Sequence, residues 1–181
     1  MSRIGTRSLL FGCHQFIIHP LMVAKAWFML YGLPLDPRLW MAFFLHDIGY
    51  WGCENMDGVQ GKQHPEAGAK IMGFLFGTEW EEFTLFHSRS CAQKYARPIS
   101  RLCVADKLAS AITPSWLYLI LGSLSGEIEE YITNSSIPSQ AKITRDKALW
   151  FHDLTIDSKR WVEAHKMTPL PGAPYAVYGS I

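Results

Sequence analysis

The sequence has few charged residues and almost no excess of either sign. Asp, Glu, Lys and Arg make up 18% of the 181 residues, below the roughly 25% that is usual in soluble proteins. The formal net charge is +1, so no global field attracts DNA, RNA or an anionic membrane. We therefore expect neither a nucleic-acid polymer nor a membrane as partner, and any preference for anions must arise from a local group of side chains.

Paired cysteines and long apolar runs are also missing. The cysteines are Cys13, Cys53, Cys91 and Cys103, and the absence of a C-x-x-C pair disfavours a zinc ribbon and predicts reduced thiols. The N-terminal apolar patch is too short for a secretory signal, which favours a cytoplasmic protein. The uncharged stretch 111–126 contains a proline and is shorter than the ~18 to 20 apolar residues of a spanning helix. It predicts a buried helix or a contact between copies of a homo-oligomer.

Alternating runs of β-branched residues are scarce, whereas apolar residues recur at helical spacing, as at Trp40, Phe43 and Phe44. We predict an all-α fold in which residues 1–181 form one helical bundle. With 49% apolar residues, a chain of this length buries a substantial core without disulfides. Residues 133–181 are expected to add a polar turn, one or two helices and a proline-rich tail that is not helical.

Capping residues and prolines predict where helices begin. Asp36-Pro37 and Thr113-Pro114 each place a capping residue before a proline, which is typical of a helix start. Residues 78–81 have the capping-box pattern and predict a helix that runs to about Ser90. The glycine-rich segment 50–63 has neither a helical nor an alternating period, which predicts a loop.

Histidines are concentrated in the first half of the chain, and four of them fall one to a predicted helix. These four are His19, His46, His64 and His87. Asp47 follows His46 directly, and Asp106 interrupts an otherwise apolar helix. Because an unpaired carboxylate is costly to bury, Asp106 is expected to have a cation or a strong donor beside it. Imidazoles and carboxylates that converge inside a bundle are typical ligands of divalent iron, manganese and zinc.

Four histidines and two aspartates suffice for two divalent ions. We expect iron, with manganese as the second choice, because this donor set suits both. The two oxygens of Asp47 make it the natural residue to bridge the ions, since it adjoins His46.

This order of residues resembles the HD-domain superfamily of metal-dependent phosphohydrolases. The matching segments are HPLMVAKAW from His19, FLHDIGY around His46 and Asp47, HPEAGAKIM from His64, FHSR around His87, and CVADKLA around Asp106. Five ordered elements within residues 14–112 are far more specific than one His-Asp dipeptide. The two histidines between that dipeptide and the last aspartate make the chain similar to the dinuclear branch, which includes symmetrical dinucleoside-polyphosphate hydrolases and HD-GYP phosphodiesterases.

The resemblance implies a hydrolase that acts on a nucleotide or a related small phosphate ester. It implies six metal ligands: His19, His46, Asp47, His64, His87 and Asp106. Asp47 is then also a catalytic residue, because the ions that it bridges activate water. Arg89 and Lys107 closely follow ligands, so we expect both to bind substrate phosphate and to neutralise charge during catalysis.

Two further positions are expected to contact the substrate. Lys62 is another cation near the implied site. Many family members carry a lysine where this chain has Tyr50, and tyrosine is a neutral donor, so either the phosphate contact lies elsewhere or the substrate differs. Trp51 is a candidate for stacking on a base, whereas Trp116 lies in an apolar stretch and is expected in the core.

Several alternatives stay open. His14 competes with His19 for the first ligand position, and otherwise is a candidate to contact the substrate. The dipeptide His152-Asp153 lacks a later series of histidine and aspartate and is expected to be structural. Two other functions also fit the residues: a mixed-valent di-iron oxygenase of the HD fold, and a metal-stabilised binding module without turnover.

Overall fold

The computed structural model describes residues 3–134 and 145–168, and every regular element in these ranges is helical. The all-α helical bundle expected from the sequence is therefore confirmed. In chain order the α-helices are α1 (Ile4–Phe11), α2 (Ile18–Tyr31), α3 (Pro37–Leu45), α4 (Val59–Lys62), α5 (Pro65–Phe76), α6 (Thr78–Leu85), α7 (Arg89–Lys94), α8 (Arg101–Ile112), α9 (Ser115–Ser125), α10 (Glu127–Asn134) and α11 (Lys147–His165). A 3-10 turn, Ile48–Tyr50, follows α3.

The main core lies among α2, α3, α5, α6, α8 and α11. Val23, Phe43, Met72, Leu102 and Val162 are almost completely buried there. Helix α8 packs against both α2 and α11, so the C-terminal helix covers a core built mostly by the first half of the chain. Removal of this apolar surface from water is the main stabilising contribution to such a bundle.

A second, smaller core joins α9, α10 and α11. Tyr118, Ile128, Ile132 and Phe151 are buried in it, and the Tyr118 and Phe151 rings stack with centroids 4.4 Å apart. Helix α1 packs against α9 and α10, so this second core is attached to the N-terminal part of the bundle.

Two glycines allow the end of α3 to approach the start of α5. A Cβ at Gly68 would lie 2.1 Å from the carbonyl oxygen of Leu45, and a Cβ at Gly49 would lie 2.0 Å from that of His64. No side chain fits at such distances, because backbone atoms cannot move aside as the end of a flexible side chain can. The glycines therefore bring His46 and Asp47 close to His64.

Some helix boundaries agree with the sequence prediction and others differ. The Asp36 side chain accepts a hydrogen bond from the Arg38 N–H, as a capping residue should. In contrast, Thr113 does not cap α9, because its hydroxyl donates to the carbonyl oxygen of Ala109 at the end of α8. The capping box at the start of α6 is not formed, and the helix ends at Leu85 rather than near Ser90.

The other predicted elements also need adjustment. Segment 50–63 is mainly a loop, but it contains the short helix α4. Where one or two C-terminal helices were expected, α11 is a single helix across the described part of that region. Residues 135–144 and the proline-rich tail 169–181 lie outside the described residues.

The uncharged stretch contains a sharp bend. Helices α8 and α9 meet at 102°. None of the described helices alone is long and apolar enough to cross a membrane. Helices α8 and α9 taken together would be, by length and composition only. Trp116, expected in the core, is 65% exposed. That expectation was wrong because Trp116 lies in the first turn of α9, on the face away from the second core.

Candidate metal centre

The structure brings all six expected ligands to one place. His19 lies in the first turn of α2, and Asp106 lies in the middle of α8. The other four lie at helix ends: His46 directly after α3, Asp47 before the 3-10 turn, His64 directly before α5, and His87 between α6 and α7. The break between α6 and α7, which the sequence did not predict, places the His87 side chain at the centre.

One group of donor atoms surrounds the Oδ2 oxygen of Asp47. The Nε2 atom of His46 lies 3.1 Å from this oxygen, and the Nε2 atom of His19 lies 3.3 Å from it. Asp106 completes the group, with its Oδ1 oxygen 3.0 Å from the His19 nitrogen. Four side chains from three separate segments thus converge, with their donor atoms all within 4.8 Å of one another.

A second group surrounds the other oxygen of the same carboxylate. The Asp47 Oδ1 oxygen lies 3.4 Å from the Nε2 atom of His64 and 3.5 Å from that of His87. The two histidine nitrogens are 3.0 Å apart. Asp47 is therefore shared, with one oxygen facing each group.

Backbone carbonyl groups orient three of the four imidazoles. The Nδ1 atoms of His46, His64 and His87 lie 2.9, 2.6 and 2.6 Å from the carbonyl oxygens of the residues three positions earlier. Each Nδ1–H donates to its carbonyl, so each Nε2 carries the lone pair that can bind a cation. Such a hydrogen bond is what usually fixes the tautomer of a metal-ligating histidine.

The donor set fits divalent metal ions. All four imidazoles and the Asp47 carboxylate are buried, and the Oδ2 oxygen of Asp47 accepts no hydrogen bond from the described residues. A buried carboxylate oxygen without a donor is costly unless a cation neutralises it. Nitrogen and oxygen donors in this combination suit iron, manganese, zinc and related ions. The two groups can thus hold metal ions.

The charges of the centre favour cations at the imidazoles. Burial lowers the pKa of His46, but the carboxylates of Asp47 and Asp106 outweigh it and raise the pKa to about 10. Burial likewise raises the pKa of Asp47, yet His46 and the other imidazoles hold it well below its usual range. The two carboxylates therefore stabilise positive charge at the ring nitrogens. A divalent ion can supply this positive charge in place of protons.

Two cavities open beside the centre. One has a volume of about 590 Å³ and the other of about 960 Å³, and Asp57, Lys62 and Arg89 line both. Asp106 and Lys107 line the first cavity, so the expected phosphate-binding cations lie around a space that reaches the metal ligands. The side chain of Arg89 is exposed, and its guanidinium lies 5.7 Å from the Trp161 ring centroid. The pKa of Lys107 is lowered by burial and by the nearby charge of Arg89.

Tyr50 lines the second cavity but is largely buried. Its ring stacks on the His64 imidazole, with centroids 4.0 Å apart and planes 13° from parallel. The stacking fixes the plane of a ring that belongs to the second group of donor atoms. Tyr50 therefore supports His64 in addition to lining the space where a substrate would bind.

The histidines left open by the sequence are also placed. His14 lies outside both ligand groups, although its ring centroid is 5.3 Å from that of His19. His19, and not His14, therefore belongs to the first group of donor atoms. His152 is exposed and lies with Asp153 on α11, and neither belongs to a ligand group.

Several residues that the sequence did not single out also line the smaller cavity. They come from the C-terminal helices: Tyr118, Tyr131, Asn134, Trp150 and Leu154. Aromatic residues at helical spacing look like ordinary core in the sequence, so no local signal distinguishes them. The C-terminal helices thus form part of the wall of the cavity that Asp106 also lines.

No protein-family model, curated protein or solved structure matches the chain. The chemistry of the centre is therefore inferred from its own donor atoms, their orientation and the cavities beside them.

Proposed function

We propose that this protein is a metal-dependent phosphohydrolase of the HD-domain type, which acts on a nucleotide or a related phosphate ester. The observation that carries the proposal is the division of the Asp47 carboxylate between two groups of imidazole nitrogens. The motif order HPLMVAKAW, FLHDIGY, HPEAGAKIM, FHSR and CVADKLA supports it, because these segments supply the convergent ligands.

The proposed centre holds two divalent ions, iron or manganese, one in each group. When bound, such a pair supplies Lewis-acid activation of water and neutralises charge on a phosphate. The protein's part is to fix the ligands before substrate arrives. Asp47 contacts both groups and so fixes their separation. The backbone carbonyl groups that face the Nδ1 atoms keep the Nε2 lone pairs directed towards the proposed ion positions.

The cations at the cavities favour an anionic substrate. Lys62, Arg89 and Lys107 line the space beside the ligands, although the chain as a whole has a net charge of only +1. Arg89 can bind two phosphate oxygens in parallel, whereas the lysines act as single point charges. We assign all three to phosphate binding, with Arg89 and Lys107 also stabilising negative charge that develops during hydrolysis.

The test is phosphate or nucleotide release under argon by protein loaded with Fe(II) or Mn(II). The panel contains mono-, di-, cyclic and dinucleoside nucleotides together with p-nitrophenyl phosphate. We expect turnover without oxygen, and loss of metal and turnover in Asp47→Asn. The control is Asp153→Asn, which changes the second His-Asp dipeptide on α11 and is expected to keep both. Oxygen consumption without phosphate release would instead support the di-iron oxygenase, and tight nucleotide binding without product would support a binding module.

We also propose that the protein forms a homo-oligomer through α9. Trp116, Ile120 and Leu124 recur every four residues on this helix and are 65%, 52% and 54% exposed. Residues at this spacing share one face of a helix. A continuous apolar stripe on a helix surface is more typical of a contact between proteins than of a surface facing water.

A further inference from the structure

Glu127 is a fully buried carboxylate that lies outside the metal centre. It is the first residue of α10, and its side chain has no exposed surface. The Ser8 and Ser125 hydroxyls donate to it at 2.7 and 2.9 Å, and the backbone N–H of Cys13 donates to it as well. So many donors to one buried group indicate a carboxylate that stays ionised and has a fixed orientation.

This carboxylate holds the ring of His14. The Nδ1 atom of His14 lies 3.1 Å from the Oε2 oxygen of Glu127 and 2.9 Å from the Ser8 hydroxyl oxygen. Because the Ser8 hydroxyl gives its hydrogen to Glu127, the proton between Ser8 and His14 must be carried by Nδ1. The His14 ring is further enclosed by Tyr50, with ring centroids 5.1 Å apart.

The remaining ring nitrogen of His14 is available to a ligand. Among the described residues, the hydrogen bonds of this ring are made by Nδ1, and His14 lines the smaller cavity together with Asp106 and Lys107. Tyr118 and Tyr131 line the same cavity, and the Tyr131 hydroxyl donates to the Glu127 oxygen that also faces His14. His14 thus lines the cavity together with Asp106 and with residues of the C-terminal helices.

We propose that His14 is a substrate-contacting residue, positioned by Glu127 and Ser8, and that its Nε2 atom hydrogen-bonds a phosphate ester whose organic group lies against α9–α11. This inference rests on the proposed function for the choice of substrate. It adds His14 to the residues proposed to bind the substrate, and it assigns the C-terminal helices to the binding of the organic group.

Two variants of His14 separate contact with substrate from a structural role. In His14→Asn the side-chain amide extends about as far from the backbone as Nδ1 does in histidine. It can therefore keep the contacts with Glu127 and Ser8, but it places no hydrogen-bonding group in the cavity. In His14→Gln the amide reaches about as far as Nε2, so it can still meet a ligand. Metal-loaded proteins are compared by KM and kcat for p-nitrophenyl phosphate and by the Kd of phenylphosphonate, which is not hydrolysed.

We expect His14→Asn to raise KM and Kd about tenfold, the effect of one lost hydrogen bond to a charged group, with metal content unchanged. His14→Gln should recover most of the affinity. The opposite order, with His14→Asn equal to the wild type and His14→Gln impaired, would show a structural role and overturn the inference.

The binding measurement distinguishes failure of this inference from failure of the proposed function. If the wild type hydrolyses no ester but binds phenylphosphonate in a manner that depends on His14, the hydrolase proposal fails and the contact stands. If the wild type hydrolyses esters and both variants match it, the contact fails and the hydrolase stands. Absence of phenylphosphonate binding by the metal-loaded wild type also overturns the contact.

Discussion

The Nε2 atom of His64 lies 3.0 Å from the Nε2 atom of His87, although the Nδ1 atom of each ring faces a backbone carbonyl oxygen. In neutral imidazoles that donate through Nδ1, both Nε2 atoms carry lone pairs. Two lone pairs at this distance repel each other unless a proton or a cation lies between them. The Oδ1 oxygen of Asp47 faces both nitrogens and adds further negative charge.

Replacement of His87 should remove one ion and leave the other. We expect His87→Ala to lower the metal content from two ions per chain to one, because the group around His19, His46 and Asp106 does not include His87. Elemental analysis of anaerobically loaded protein measures this content. The matched control, His152→Ala, removes an exposed histidine and should keep both ions. A His87→Ala protein that still holds two ions would contradict the assignment.

Arg89 should affect substrate affinity without affecting the metals. Its exposed side chain lines both cavities, and it does not ligate a metal because a guanidinium stays protonated and offers no lone pair. We expect Arg89→Gln to raise KM for a phosphate ester about tenfold, the effect of one lost charge-assisted hydrogen bond. Arg160→Gln is the control, because Arg160 is exposed on α11 and pairs with Asp157. Equal KM values in the two variants would show that Arg89 does not bind the substrate.

The six side chains that converge could be predicted from the sequence, because each is embedded in a local pattern. His46-Asp47, the H-P pair at His64 and the aspartate in an apolar helix at Asp106 are all visible without a structure. The position of Asp47 between the two groups was also expected from its two oxygens, but the backbone conformation that places it there was not. Asp47 follows the end of α3 with φ −98° and ψ 0°, a sparsely populated conformation that directs it and His46 to the same centre.

The helix ends and the cavity wall were harder to predict, because both depend on contacts distant in sequence. The spacing of Trp40, Phe43 and Phe44 correctly indicated a helix, but only Phe43 is fully buried, while Trp40 and Phe44 are 37% and 40% exposed. The wall residues Tyr118 and Trp150 have no local signature, since the fold alone brings α9 and α11 to the cavity.

Gly68 should be essential for the packing of α5 on the end of α3. An added Cβ would meet the Leu45 carbonyl oxygen at 2.1 Å, so we expect Gly68→Ala to destabilise the metal-free protein by about 1–3 kcal/mol. At an unhindered helical position the same change would stabilise by about 1 kcal/mol. Lys70→Ala, at an exposed position of the same helix, should change little. Urea unfolding measures both, and a Gly68→Ala protein as stable as the wild type would refute the close approach.

Glu127 should make stability depend on acid pH. Burial raises the pKa of this carboxyl, but the hydrogen bond and charge of His14, with the other donors, lower it from an ordinary 4.5 to about 2. Because the folded-state pKa lies below the unfolded value, the stabilisation is complete above the unfolded pKa and is lost as the pH falls towards the folded pKa. This shift corresponds to about 3 kcal/mol.

The variant Glu127→Gln isolates this effect. It should be less stable than the wild type near neutral pH, and the difference should shrink as the pH falls below about 4.5. Urea unfolding of both metal-free proteins across this range provides the measurement. A difference that stays constant would show that Glu127 contributes through packing and not through its charge.

The apolar stripe on α9 should control self-association. We expect the wild type to be oligomeric by light scattering, and Ile120→Glu to be monomeric, because it places a charge in the middle of the stripe. Ile156→Glu, at a partly exposed position of α11, is the control and should leave the assembly unchanged. A monomeric wild type at high concentration would exclude this contact.

Four of the six proposed ligands lie at helix ends, and helix ends are where local unfolding begins. An ion that binds only the closed form raises the free energy of local opening by an amount that grows with the ratio of ion concentration to Kd. Amide hydrogen exchange should therefore slow at residues 45–50, 61–66 and 84–90 when metal is added, while the interior of α2 changes little. Metal binding would then stabilise the chain segments that otherwise unfold locally most readily.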